Sequence, residues 1–382
     1  MFACVGAECK QALSGLESFR SAGRSGTLSV YMWNQAAIYR RRRRRFGISA
    51  ALVVLLLIIV IASSGGGKPA AKPASSVTVV EPSAVPLSYS AATVLPAAIR
   101  ESAAAPDPQD SASFSLIGGT DSTVEPLAAT AGIATVNTGG GTLVGDLPVS
   151  LYAEAAVELD GHEYIFGGDD GTDAQPYIYD YDIGGKGQVN QVGELPQSDY
   201  GLGAAVTGHT VYLVGGYTGT TALATIQAWA GPGHLVKNVA ELPEGLQFPA
   251  VAAIDGQLVI AGGLTASGQA SKEVFVFTPA NKQLRLLTQL PVGLYAASAA
   301  TLGRLVYFIG GMQTSTTPVS TIYSIDPSSK VVGYAGSLPS PRAETAAVTR
   351  GNTIYLAGGW NGSAVLNYVS QLSAAAPKVK AR

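Results

Sequence analysis

The chain predicts an all-β fold, a six-bladed propeller, and three observations carry that prediction. An apolar run ends on a glycine pair six times, as "FSLIGG", "YIFGG", "VYLVGG", "LVIAGG", "VYFIGG" and "IYLAGG". The second glycines are Gly119, Gly168, Gly216, Gly263, Gly311 and Gly359, at intervals of 49, 48, 47, 48 and 48 residues. A near-constant period of this size belongs to propellers and solenoids, whose units bury their apolar faces only against neighbours. The third observation is that the other features of each period also recur in order.

Each period begins with an alanine-rich apolar run, such as "GLGAAV", "PAVAAI", "YAASAA" or "AETAAV". Small side chains suit the innermost strand, which is crowded beside a central axis. A two-residue turn follows, at Asp160-Gly161, Gly208-His209, Asp255-Gly256, Gly303-Arg304 and Gly351-Asn352. Such dipeptides accept the positive φ that tight hairpins need. The strand entering the glycine pair is β-branched and aromatic. A loop leads to a third strand such as "EVFVFTP" or "TIYSIDP", and a fourth strand ends in Leu-Pro, at residues 147–148, 195–196, 242–243, 290–291 and 338–339.

The last period holds only three such strands, the third in "VLNYVSQL", before the tail "SAAAPKVKAR". The missing fourth strand is expected at the other end of the chain. "PLSYSAATVLP" (86–96) ends in the same Leu-Pro, and the "IRESAAA" that follows reads like the "PRAETAA" of the last repeat. An N-terminal strand completing the C-terminal blade closes the ring and hides both edges.

This pattern resembles the kelch repeat, with its glycine pair, later Tyr, Asp-Pro and Leu-Pro spacing, over residues 86–372. The resemblance implies a β-propeller of four-stranded blades. Kelch repeats usually carry a Trp at the start of the fourth strand. Val189, Leu235, Leu284 and Val331 stand there instead, so the array is divergent.

Arg40 to Arg45 precede an uncharged apolar run of 17 residues, 46–62. As a helix it would span about 26 Å, enough to cross a hydrocarbon core. The positive-inside rule places 1–45 in the cytoplasm and everything after the run outside. A retained single-pass anchor is the expectation; a cleaved signal ending at "VIA", which would release a secreted propeller, is the alternative. Residues 63–85 read as a flexible Gly/Pro/Ala/Ser linker and 373–382 as a tail. Met32 is a candidate start. Cys4 and Cys9 fall before it, so the exported part is expected to have no disulfide and no cysteine metal site. After residue 45 the chain holds fifteen Lys and Arg against twenty-four Asp and Glu, a net charge of −9. That acidity argues against nucleic acid as a partner.

No catalytic signature is present. His162 and His209 fall at equivalent turns and read as solvent-facing. Asp169, Asp170 and Asp173 read as a solvated acidic loop rather than a calcium site, and neither metal nor cofactor is expected. The strongest functional signal is positional. Residues following the glycine pairs are Thr120, Asp169, Tyr217, Leu264, Met312 and Trp360. Those opening the innermost strands are Arg100, Tyr152, Tyr200, Phe248, Tyr295 and Arg342, with Glu101, Glu154 and Glu344 slightly further in. Equivalent positions in repeats converge on one ring. Its aromatic, Arg and carboxylate groups suit a glycan or a peptide segment. The expectation is a membrane-anchored extracytoplasmic binding module for a glycan or protein. The alternative is an enzyme. Six-bladed kelch-like propellers include a periplasmic sialic-acid epimerase family, whose likeness would give Arg100 and Arg342 the sugar acid and Glu154 and Glu344 the proton transfer. A structural role in an envelope complex is a third reading.

Overall fold

The computed structural model describes residues 85–124, 127–183 and 187–374. The expected cytoplasmic tail, membrane-spanning run and most of the linker lie outside them. No helix among the described residues is long and apolar enough to cross a membrane.

Six four-stranded antiparallel sheets form the fold. The first blade pairs Ala103–Pro106, Phe114–Ile117, Thr130–Asn137 and Gly140–Leu151 in order. The next four blades repeat this plan from inner strands Ala155–Leu159, Gly203–Thr207, Ala250–Ile254 and Ser298–Leu302. The sixth blade supplies Ala346–Arg350, Thr353–Ala357 and Tyr368–Ala374. Its outer strand is Leu87–Val94, antiparallel to Tyr368–Ala374, with Leu87 opposite Ala374 and Val94 opposite Tyr368. The closure expected from "PLSYSAATVLP" is therefore the one adopted.

The local chemistry explains the blades. Asp160 and Gly161, and Asp255 and Gly256, have φ between 50° and 88°, as two-residue hairpins with right-handed strand twist require. The third and outer strands of every blade slip register by one residue, for example between Ile178 and Tyr179 and between Ile226 and Gln227. Such bulges strengthen the twist that lets blades stack face to face. Burial then occurs between blades. Phe166 and Ile178 of the second blade pack with Val211 and Trp229 of the third, and Val348 and Val369 of the sixth pack with Phe114 and Val136 of the first. The leucine of each Leu-Pro pair is buried, from Leu95 to Leu338.

Two belts of backbone hydrogen bonds join the blades at one end of the axis. In the first, the N–H of each second glycine donates to a carbonyl of the next blade. Gly119 meets Leu151, Gly168 meets Asp199, Gly216 meets Leu246, Gly263 meets Leu294, Gly311 meets Arg342, and Gly359 returns to Ile99, at 2.7–2.9 Å. This close approach is why glycine stands there. A Cβ at Gly310 would strike the Arg342 carbonyl oxygen, and one at Gly216 the Asp199 carboxylate.

The second belt is a closed circle around the axis. Ala153 donates to Glu101, Gly201 to Ala153, Phe248 to Gly201, Ala296 to Phe248, Glu344 to Ala296 and Glu101 to Glu344, at 2.7–3.1 Å. All six residues are left-handed, with φ between 49° and 62°. Five of them are not glycine, and each such residue costs on the order of 1 kcal/mol. Bonds on both sides hold them there.

Candidate functional site

The circle of left-handed residues forms the waist of the axial opening. Above it lies a mouth of about 450 Å³, whose walls include Arg100, Tyr152, Tyr200, Phe248, Tyr295 and Trp360, with Glu101 and Glu344 at its base. Below it lies a chamber of about 120 Å³, whose lining includes Glu101, Glu344, Ser102 and Glu154. Further along, the inner strands line the axis with small residues such as Ala104, Ala204 and Ala347, as the alanine-rich runs predict.

The expected ring needs a one-residue correction in two blades. Backbone bridges pair Arg100 with Thr120, Tyr152 with Asp169, Tyr200 with Tyr217, Tyr295 with Met312 and Ala343 with Trp360. Gln247 pairs with Leu264 in the same way. The true equivalents of Arg100 are thus Gln247 and Ala343 in the fourth and sixth blades. Phe248 belongs to the left-handed circle, where its ring lies over Gly201 and would meet a Cβ there at 2.9 Å. Arg342 falls one residue earlier, in the column of Ile99, Leu151, Asp199, Leu246 and Leu294.

That shift removes Arg342 from the mouth. Its side chain is 2% exposed and runs inside the sixth blade. Nε donates to the Gly358 carbonyl at 2.7 Å, Nη1 to Ser370 Oγ at 2.8 Å, and Nη2 to the Leu356 and Tyr368 carbonyls. The guanidinium lies 4.7 Å from the Tyr368 ring centroid. Burial lowers its pKa to about 10, which leaves it charged at neutral pH.

Arg100 reaches the mouth and is engaged there. Nη1 donates to Glu344 Oε2 at 2.6 Å and stands 3.8 Å from Glu101 Oε1, while Nε donates to the Ser122 carbonyl. Its guanidinium sits 6.0 Å from the Trp360 ring centroid. The opposite wall is aromatic. Tyr200 stands edge-on to Tyr152 at 6.3 Å and to Phe248 at 6.2 Å, and Leu127 and Ala153 pack beneath. Tyr217 backs Tyr200 at 5.6 Å and is not among the residues lining the mouth. Burial raises the Tyr152 and Tyr295 pKa values, with smaller contributions from Asp169 and Glu101 at Tyr152 and from Glu344 and Glu101 at Tyr295.

Glu154 lies below the waist, in the chamber. Oε1 accepts the Ala103 N–H at 3.1 Å, and Oε2 has no partner. Burial raises its pKa to about 8, so the isolated group is mostly protonated at pH 7. Ser102 Oγ, also buried, has no partner either. Ser102 was not singled out from sequence because "ESAAA" reads as an ordinary small-residue strand start.

The acidic loop is more ordered than its composition suggests. Asp169 is buried and accepts the Gly171 N–H, and Asp170 accepts from Thr172, Asp173 and Gln175. These are turn-forming contacts. Among the described residues no group of three His, Cys, Asp or Glu is placed to hold a metal ion. His162 and His209 are exposed and pair with Asp180 and Asp160.

No protein-family model matches the chain. The curated proteins likewise contain no significant match.

Proposed function

We propose that the chain is a divergent kelch-type binding module, carried on the outer side of a membrane by the basic, apolar N-terminal segment. Its ligand, a glycan or a segment of another protein, enters the axial mouth. The observation that carries this reading is the mouth itself. Five half-buried or buried aromatic side chains surround an open cavity, above a circle of residues held in a costly backbone conformation. Strain of this kind concentrates at sites that must keep a set geometry, and aromatic walls with a few polar groups characterise recognition pockets.

The catalytic alternative fits less well. A sugar-acid epimerase needs an arginine free to hold a carboxylate. Arg342 is spent on carbonyls inside its blade, and Arg100 already contacts Glu344. A glycan and peptide array probed with the full chain, and with its Phe248→Ala variant, tests the binding reading. Signals that vanish in the variant while its melting temperature stays within a few degrees are expected. Signals unchanged by the variant place the ligand elsewhere.

A further inference from the structure

We propose, resting on the mouth being the ligand site, that the site continues from the mouth into a cleft between the fourth and fifth blades, and that its ligand is a neutral oligosaccharide chain rather than a single sugar.

Continuity is the first support. The cleft has a volume of about 700 Å³, against about 450 Å³ for the mouth. Tyr295 and Ser315 line both cavities. Tyr295 is half-buried and stands where the two meet, so a ligand leaving the mouth for the cleft passes along its side chain. Each cavity alone has the volume of a small-molecule site, and the two joined make an elongated one.

The chemistry of the lining is the second support. The fourth blade gives the cleft Gln269 and Lys272, the fifth gives it Gln313, Thr314 and Ser315, and Leu264 and Val292 lie beside them. Lys272 is the one charged side chain among the described residues of the cleft. Side-chain amides and hydroxyls both donate and accept hydrogen bonds, and sugar hydroxyls need partners of both kinds. Tyr295 and the other rings of the mouth offer flat apolar faces to the C–H side of a sugar ring. Arg100 already donates to Glu344 at 2.6 Å, so an anionic sugar would have to displace a carboxylate to reach it.

The third support is that both loops walling the cleft are held by their own hydrogen bonds. In the fourth blade the buried Thr265 donates through Oγ1 to the Gln269 carbonyl at 3.1 Å. In the fifth, the Thr314 and Thr317 hydroxyls are hydrogen-bonded at 2.8 Å. Leu264 bridges on both sides, to Gln247 and to Ala270, and Met312 does so to Tyr295 and to Pro318. A preformed cleft spends less affinity on ordering its walls. The same bridges leave no open strand edge at Leu264 or Met312, which a peptide joining a sheet would need.

The test is calorimetric titration of the full chain with the monomer, trimer and pentamer of chitin and of cellulose, with sialyllactose, and with a proline-rich peptide. In one neutral series the longer members are expected to bind about tenfold tighter than the monomer, or more. The double variant Gln269→Ala, Gln313→Ala should bring the longer members down to the affinity of the monomer. Both side chains are exposed, so its melting temperature should stay close to that of the parent. Phe248→Ala should weaken every member of the series. Affinity that does not grow with length, or growth that survives the double variant, removes the cleft from the site and leaves the mouth. Tighter binding of sialyllactose or of the peptide, lost in Phe248→Ala, keeps the mouth and overturns the neutral oligosaccharide. If no probe binds, or none responds to Phe248→Ala, both readings fail.

Discussion

The first and the sixth blades each bring an arginine to the same end of the axis, and the two have opposite surroundings. Arg100 lies at the mouth, with Glu344, Glu101 and the Trp360 ring about it. Arg342 lies inside the sixth blade, bound by three backbone carbonyls and one hydroxyl. Both precede a Glu by one or two residues, and both open an alanine-rich strand. The difference is a single step of register. Arg342 occupies the column whose carbonyl accepts the glycine N–H of the neighbouring blade, and side chains in that column turn inward. Arg100 occupies the next position, whose partner across the bridge is the residue after the glycine pair. In a repeat protein a one-residue offset separates a side chain buried in a blade from one that lines the mouth.

The seam between these blades offers the largest test. A chain beginning near Asp110 would lack the strand Leu87–Val94, the Ile99 carbonyl that accepts Gly359, and Arg100 itself. Against a chain beginning near Glu81, its melting temperature should fall by about 10 °C or more. Equal melting temperatures would mean that the pairing of Leu87–Val94 with Tyr368–Ala374 contributes nothing to closure.

The arginine comparison itself comes next. Arg342→Ala removes the guanidinium donors to the Gly358, Leu356 and Tyr368 carbonyls and to Ser370 Oγ, of which the Tyr368 carbonyl keeps the Gly358 N–H, and opens a cavity, at a cost of about 3 kcal/mol in urea unfolding. Arg100→Ala should cost less, about 2 kcal/mol, because the pair it breaks is about nine-tenths buried but lines the mouth, where water can reach the carboxylates left behind. Similar losses for the two would erase the distinction between the blade interior and the mouth.

A smaller effect concerns Glu163. Its counterparts five residues before the second glycine are Phe114, Val211, Leu258, Val306 and Ile354, all buried apolar side chains. Glu163 is equally buried, accepts Ser115 Oγ–H at 2.9 Å, and has its pKa raised to about 8, chiefly by desolvation. The folded state therefore holds this proton more tightly than the unfolded chain. The associated stability is fully present below about pH 4.5 and is lost as pH rises through 8. Glu154 acts with the same sign. Between pH 5 and 8 the protein should lose up to about 1 kcal/mol per pH unit for each group. Glu163→Gln should remove one share of that slope and leave the share due to Glu154. A slope unchanged in the variant would mean that Glu163 ionises freely.

The smallest expected effect lies at the far end of the blades. His209, 86% exposed at its side chain, pairs with Asp160 across the hairpins of neighbouring blades. His209→Ala should change stability by no more than about 0.5 kcal/mol. A larger loss would show that the hairpin end also holds the blades together.

The blade count, the four strands per blade and the ring closure were legible in the sequence. They depend on local chemistry that repeats: a glycine pair where backbones meet, a hairpin dipeptide with positive φ, a buried leucine before proline. Six glycine pairs, six Leu-Pro pairs and five hairpin dipeptides make the pattern readable even without the fourth-strand Trp. Two carboxyl exceptions, in separate columns, were also present in the sequence: Glu163 stands alone among apolar counterparts, and Asp199 among largely apolar ones. Neither stands out until burial is known. What only the tertiary structure decided is which way the side chains at the head of each inner strand turn. That direction is set by hydrogen bonds to the next blade, nearly fifty residues away, and by a circle of left-handed residues that closes only when all six blades are in place. Arg342, Phe248 and Glu154 received their positions from that circle, because no local preference of the chain distinguishes the mouth, the waist and the chamber.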